Sequence, residues 1–230
     1  FAEDFVKRLS AFKLREAVEI GETAPALAVA VVWGTGAAAR LKLESAEGAV
    51  VRPMVAEAHL AFVDPRFAGL GARLVYPADS PIEAELARLG FADATAADYA
   101  GHRLALGIAD TAEIGSATCY PLEANFEMLH GVDFKKGCYV GQELTARMKL
   151  KGELRKRILP VSGSGPLPRA GTPVIADGTE LGPLIAASGA QGLALLRLDR
   201  LADAKQDSIR AQDVQLNIHW PNWLPRGAST

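Results

Sequence analysis

Cysteine is almost absent: only Cys119 and Cys138 occur in 230 residues. Two thiols in a mostly aliphatic chain do not make a disulfide scaffold, and such scarcity fits a reducing compartment. The expected location is the cytoplasm. Histidine is nearly as rare, with four residues scattered at 59, 102, 130 and 219. There is no Cys-x-x-Cys and no histidine cluster at ligand spacing, so no metal site of this chain's own is expected. No apolar run approaches the roughly 20 residues needed to span a bilayer, so no membrane association is expected. Neither sign of charge dominates: Lys plus Arg is 25, Asp plus Glu is 27, and the net charge is −2. That balance argues against a general nucleic-acid surface. Hydrophobic residues are 49 % of the chain, which argues against disorder.

What is present concentrates between Phe134 and Arg147, reading Phe-Lys-Lys-Gly-Cys-Tyr-Val-Gly-Gln-Glu-Leu-Thr-Ala-Arg. Val140, Leu144 and Met148 recur every four residues, which predicts one buried stripe of a helix. Glu143 and Arg147 stand at i and i+4 in the favourable order for an ion pair. Gly137 suits a tight turn. Together these place Cys138 at or near a helix N-terminus. The free amides and dipole there favour an anion, and Lys135 and Lys136 add positive charge. Both effects favour thiolate, so a lowered thiol pKa is expected for Cys138. The competing reading is a small structural cysteine that fills space.

The run Lys136-Gly137-Cys138-Tyr139-Val140-Gly141-Gln142-Glu143 resembles the signature of the YgfZ-type folate-binding proteins, bacterial iron–sulfur maturation factors with a mitochondrial counterpart. Pro121-Leu122-Glu123 and Gly131 to Lys135 extend the likeness upstream. Leu144 to Arg147 and Leu154 to Arg157 extend it downstream. The family is related to the aminomethyltransferase of the glycine cleavage system. The resemblance therefore implies a T-protein-like fold: a ferredoxin-like α+β part followed by a small C-terminal β-barrel.

Along the chain, Phe1, Phe5, Leu9 and Phe12 repeat at helical spacing. The helix opens without Met or a capping residue, so an N-terminal portion of the natural protein is expected to precede it. Strands are expected at Ala26–Trp33, Leu41–Glu44, His59–Val63 and Ala72–Tyr76. Pro53 argues against a central strand at Val50–Val55. Ser80-Pro81-Ile82-Glu83 predicts a helix start with Ser80 as cap, running to Leu89 and ending at Gly90. A further helix is expected from Ala96 to Leu106, then a loop from Gly107 to Pro121. Beyond the signature, Arg155–Val161, Pro173–Ala176, Leu184–Ala187, Leu193–Leu198 and Val214–Ile218 read as short strands of a barrel or sandwich. The fold class is α+β. Two parts are expected, residues 1–152 carrying the signature and residues 153–230 forming the barrel.

Folate presents a flat heteroaromatic ring and an anionic tail. A pocket for it needs apolar walls, polar groups at the ring edge and cations for the carboxylates. The resemblance implies tetrahydrofolate as ligand. Glu123 stands where the transferases have a similar Pro-x-Glu and is the candidate for the ring edge. Tyr139 is a candidate wall, and Arg155 and Arg157 are candidates for the tail. Tyr99, Arg103 and Gly107 resemble the family's stretch leading towards the ligand; the competing reading is that Tyr99 and Arg103 merely cover a helix surface. The transferases lack the cysteine, so Cys138 points away from aminomethyl transfer and towards thiol or cluster chemistry. One cysteine cannot hold a cluster alone, since clusters usually take four protein thiolates. The implied partners are iron–sulfur assembly proteins or client iron–sulfur enzymes, tRNA modification included. A one-carbon transferase and a non-catalytic binding scaffold are the alternatives, and conventional turnover is not expected.

Overall fold

The computed structural model describes residues 2–13, 15, 17–21, 26–51, 60–115, 118–139, 141–151 and 154–226. His59, Val140, Gly152 and the stretch 52–55 lie outside them. The chain forms two compact units, residues 1–63 with 71–92, and residues 64–70 with 93–230. The second unit takes in residues 93–151 along with the barrel, so the division by contacts is not the division by sequence texture.

The first unit is built on a four-stranded antiparallel sheet. Its strands are β1 (Leu27–Val32), β2 (Val50–Val51), β3 (Leu60–Val63) and β4 (Ala72–Pro77), in the order β1-β4-β3-β2. Ala61, Val63, Ala72, Leu74 and Val32 are buried on one face. Gly71 is needed at the start of β4: its φ is +94°, and a Cβ there would stand 2.1 Å from the Val32 carbonyl oxygen. The helix α1 (Ala2–Phe12) precedes the sheet. The strand expected at Leu41–Glu44 is absent. A four-residue helix, α2 (Ala37–Arg40), runs into a turn with Lys42 at φ +56°. Leu41 and Leu43 are both buried from that turn, so their alternation marks inward side chains without a strand. The helix α3 (Ile82–Arg88) ends at Gly90, φ +82°, as expected. Its cap is not Ser80. Pro81 occupies the cap position, and the Ser80 hydroxyl is buried with no partner among the described residues. Pro81 fixes the backbone geometry that the serine cap would otherwise supply.

The second unit opens with α4 (Ala96–Ala105), capped by a reciprocal pair: Asp98 N–H donates to Thr95 Oγ1, and Thr95 N–H donates to Asp98 Oδ2 at 2.8 Å. A short helix, α5 (Thr111–Ile114), interrupts the expected loop. After the signature helix α6 (Gln142–Lys151) come six strands: β5 (Lys156–Gly163), β6 (Pro173–Ala176), β7 (Thr179–Ser188), β8 (Gln191–Arg197), β9 (Arg210–Ala211) and β10 (Val214–Ile218). They close into a barrel in the order β10-β5-β8-β7-β6-β9. Leu159, Val161, Val174, Leu184, Leu196 and Leu216 belong to one core. Ile158, Leu193 and Leu195 belong to a second, with Leu104 of α4 and Ala124. β5 and β8 are therefore covered on both faces, which is why they read as unbroken apolar runs. A last helix, α7 (Leu198–Asp203), follows β8. The expected α+β fold with a C-terminal β-barrel is the fold observed.

Candidate functional site

The signature presents its cysteine differently from the sequence expectation. α6 begins at Gln142, four residues beyond Cys138, and residues 137–139 are irregular. Cys138 is exposed and free. The expected position of Cys138 at a helix N-terminus is therefore not found. The residue with positive φ is Gly141 at +83°, not Gly137, because the chain turns immediately before the helix. The buried stripe is corrected as well. Leu144 is 46 % exposed, and the buried residue of α6 is Thr145. Thr145 Oγ1 donates to the Gly141 carbonyl at 3.3 Å, satisfying one polar group within the turn.

The rest of the signature braces that turn. Asp133 accepts from the Lys135 amide at 2.7 Å. Lys136 Nζ stands 5.2 Å from the centre of the Tyr139 ring, a cation–π contact. Tyr139 N–H donates to Gln142 Oε1 at 3.1 Å, and the Gln142 amide donates back to the Tyr139 carbonyl at 3.2 Å. Arg147 pairs with Glu143 at 2.6 Å, as expected. Tyr139, Gly141, Gln142, Glu143, Leu144 and Arg147 line an open groove of about 580 Å³. Among the described residues, Cys138 itself makes no bond.

Residues 121–130 form a chain of tight turns locked to β5. Ile158 N–H donates to the Glu123 carbonyl at 2.9 Å. Asn125 is buried with φ +63°, and its Nδ2 donates to the Ile158 carbonyl at 2.9 Å. Arg157 Nη1 donates to Asn125 Oδ1 at 2.7 Å, and Nη2 pairs with Glu127 at 3.1 Å. Arg157 is therefore buried and turned inward, while Arg155 is exposed. The Glu123 side chain accepts from the Tyr120 amide at 2.9 Å through Oε2, which leaves Oε1 without a bond among the described residues. No contact among the described residues joins Tyr139 to Glu123. Cys119 packs beside the second core, and burial, then the Glu123 charge, push its thiol pKa up. Arg103 is buried and doubly paired to Glu113, at 2.6 and 2.5 Å, so it braces α5 and does not merely cover α4.

Sequence reasoning missed Asn125 and Glu127. It also missed a second, more apolar cavity of about 260 Å³, lined by Arg66, Ile114, Phe126, Leu129 and His130 among others. Arg66 is clamped there by Asp64 through Nε at 3.0 Å and Nη2 at 2.9 Å. The Asp64 bond holds the guanidinium pKa above its ordinary value. The available signal was the Asp-Pro-Arg run at 64–66.

Comparison with known proteins adds to this geometry. Residues 155–226 match the model of the CAF17 C-terminal β-barrel domain. The closed six-stranded barrel of the C-terminal part is similar to that domain. The chain is 34 % identical to mitochondrial iron–sulfur cluster assembly factor IBA57 of Mus musculus over 230 residues, covering 96 % of this chain and 61 % of the relative. It is 33 % identical to the Homo sapiens IBA57, over 95 % of this chain and 60 % of that protein. The IBA57 homolog of Neosartorya fischeri is 34 % identical over 187 residues, 69 % of this chain and 42 % of that protein. The chain spans about three fifths of the length of the two mammalian relatives. The matches are thus to IBA57 factors and to a CAF17 barrel domain, and not specifically to YgfZ proteins. They overturn the cytoplasmic expectation, because the relatives are named mitochondrial and point to that compartment. Scarce cysteine reports redox poise and not cellular address.

Proposed function

We propose that this chain serves iron–sulfur cluster assembly, with Cys138 as its reactive thiol and reduced folate as its ligand. The observation that carries the reading is the likeness, over 96 % of the chain, to a protein named as an iron–sulfur cluster assembly factor. The braced, exposed thiol supports the role given to Cys138. A cluster usually takes four protein thiolates, so one cysteine supplies at most one, and an assembly partner or client enzyme supplies the others. Lys135 and Lys136 are exposed beside the thiol in the chain.

For folate, the residues present fit in part. Glu123 offers a carboxylate oxygen to the ring edge, Tyr139 offers an aromatic wall, and exposed Arg155 offers a cation to the tail. Arg157 is committed to Asn125 and Glu127, so its part is to hold the 121–130 segment in place. Folate supplies a one-carbon carrier when bound. The protein's residues bind and orient it.

The test is complementation of cells lacking the native factor, beside a thermal melt of each variant. Cys138→Ser is expected to fold normally, because the thiol is exposed and in no disulfide, yet fail to restore iron–sulfur enzyme activity. Full complementation sinks the thiol role. Calorimetry with tetrahydrofolate on the parent chain, Glu123→Gln and Arg155→Ala tests the ligand. Unchanged affinity in both variants moves the site elsewhere.

A further inference from the structure

The sheet of the first unit is mostly apolar on both faces, Arg73 standing in the row of Val31, Phe62 and Val50 on one of them. β1 reads Leu-Ala-Val-Ala-Val-Val without a polar break, and such a run is the mark of a strand covered on both sides. One face is covered. On the other, Val29, Val75 and Leu60 lie side by side in one row across three strands. Leu27 and Pro77 form the row on one side of it, and Val50 and Phe62 belong to the row on the other. Val50 is 62 % exposed, Val29 54 %, and Leu27 and Leu60 are exposed as well.

The same unit holds a helix with the complementary defect. In α1, Phe5, Leu9 and Phe12 stand at i, i+4 and i+7, on one stripe. Phe12 is 74 % exposed and Phe5 58 %. Glu3 and Lys7 stand on the far side. A helix of 11 residues is marginal in water unless its apolar face packs.

We propose that α1 closes over the open face of the β1-β4-β3-β2 sheet, seating Phe5, Leu9 and Phe12 on the Leu27–Val29–Leu60 surface. Reach permits it. The chain from Lys13 to Ala26 can extend to roughly 45 Å, against strands about 20 Å long. Tethering also decides between occupants. A short linker gives an effective concentration on the order of millimolar, well above that of a second copy in dilute solution. Closure buries both apolar surfaces and leaves Glu3 and Lys7 in water.

Disulfide trapping on the full chain, with Cys119 and Cys138 replaced by serine, tests this. Leu9→Cys with Val29→Cys is expected to link within one chain at least tenfold faster than Lys7→Cys with Val29→Cys. Equal rates, no link, or links between chains overturn the proposal, the last by assigning the face to a second copy. Hydrogen exchange on the unsubstituted chain gives an independent reading. The α1 amides are expected to exchange at least tenfold more slowly than in a free 2–13 peptide, and Val29→Glu is expected to abolish that protection. Exchange at the peptide rate overturns closure whatever the cysteine variants do.

Discussion

Asn125 is the most informative residue to perturb, because three separate demands meet in it. Its backbone sits at φ +63°, where asparagine is tolerated and alanine costs about 1–2 kcal/mol. Its Nδ2 serves the Ile158 carbonyl, and its Oδ1 accepts from Arg157. Loss of either bond leaves a buried partner short, at about 1–3 kcal/mol each. The three effects share neighbours and do not add fully. Asn125→Ala is therefore expected to cost roughly 3–5 kcal/mol. Asn125→Gly removes the same side chain without the backbone penalty and is expected to recover about 1 kcal/mol of that. Asn125→Asp keeps an acceptor for Arg157 and loses only the donor, so it should be the mildest.

Urea unfolding in a Trp33→Phe background reads the second unit alone, since the remaining tryptophans are Trp220 and Trp223. The expected order of stability is Asp above Gly above Ala. A cost below about 1 kcal/mol for Asn125→Ala, or glycine less stable than alanine, refutes this account of the 121–130 segment.

Leu144→Ala is expected to lower stability by less than about 1 kcal/mol, because the side chain is nearly half exposed; a fall of 2–5 kcal/mol, the figure for a buried leucine, would restore the buried-stripe reading. Cys119 is half-buried with a raised thiol pKa, so iodoacetamide at pH 8 should modify it well after Cys138. Its neutral thiol is the form the fold favours. That stabilisation is present below the ordinary thiol range and is lost as pH rises through the raised folded value, so equal labelling rates for the two thiols count against the burial. The Asp199 carboxyl, hydrogen-bonded by Arg197, is lowered to about 2. Its contribution is present above the usual carboxylate range of about 4 and fades as pH falls towards 2. Carboxyl NMR of the intact chain and of Arg197→Gln reads this, and coincident titrations would show that the pair does not form.

The barrel was the most legible part, because five runs of β-branched and aliphatic residues are separated by glycine and aspartate. The first unit was legible where a strand is apolar throughout, as in Leu27–Val32, and misleading where a turn imitates alternation, as at Leu41–Glu44. Helix ends were legible when a glycine closed them, as at Gly90 and Gly107. They failed where proline displaced the expected cap at Ser80. Arg157 shows the deeper difficulty. Sequence identifies an arginine near the signature but not the direction of its side chain. Here Asn125, about thirty positions away in the chain, decides it, and no local pattern announces that pairing.

The signature shows a different relation between sequence and site. Its residues were expected to act through a helix end, yet α6 starts too late for that. Several instead hold the turn. Gln142 and Tyr139 exchange bonds, Gly141 supplies the positive φ, Thr145 returns to Gly141, Lys136 lies on Tyr139, and Glu143 holds Arg147. Each of these contacts can be accounted for by folding alone. Cys138 is the exception, since an exposed thiol with no bond among the described residues adds nothing to that framework. On the proposed reading of Cys138 as the reactive thiol, this framework is its mount. Weakening the mount should therefore slow thiol chemistry without exposing new core. Gln142→Ala, which removes the cap on the Tyr139 amide, tests that separation: melting should change little while the Cys138 alkylation rate shifts. If melting and reactivity fall together, the turn is part of the core and the thiol only rides on it.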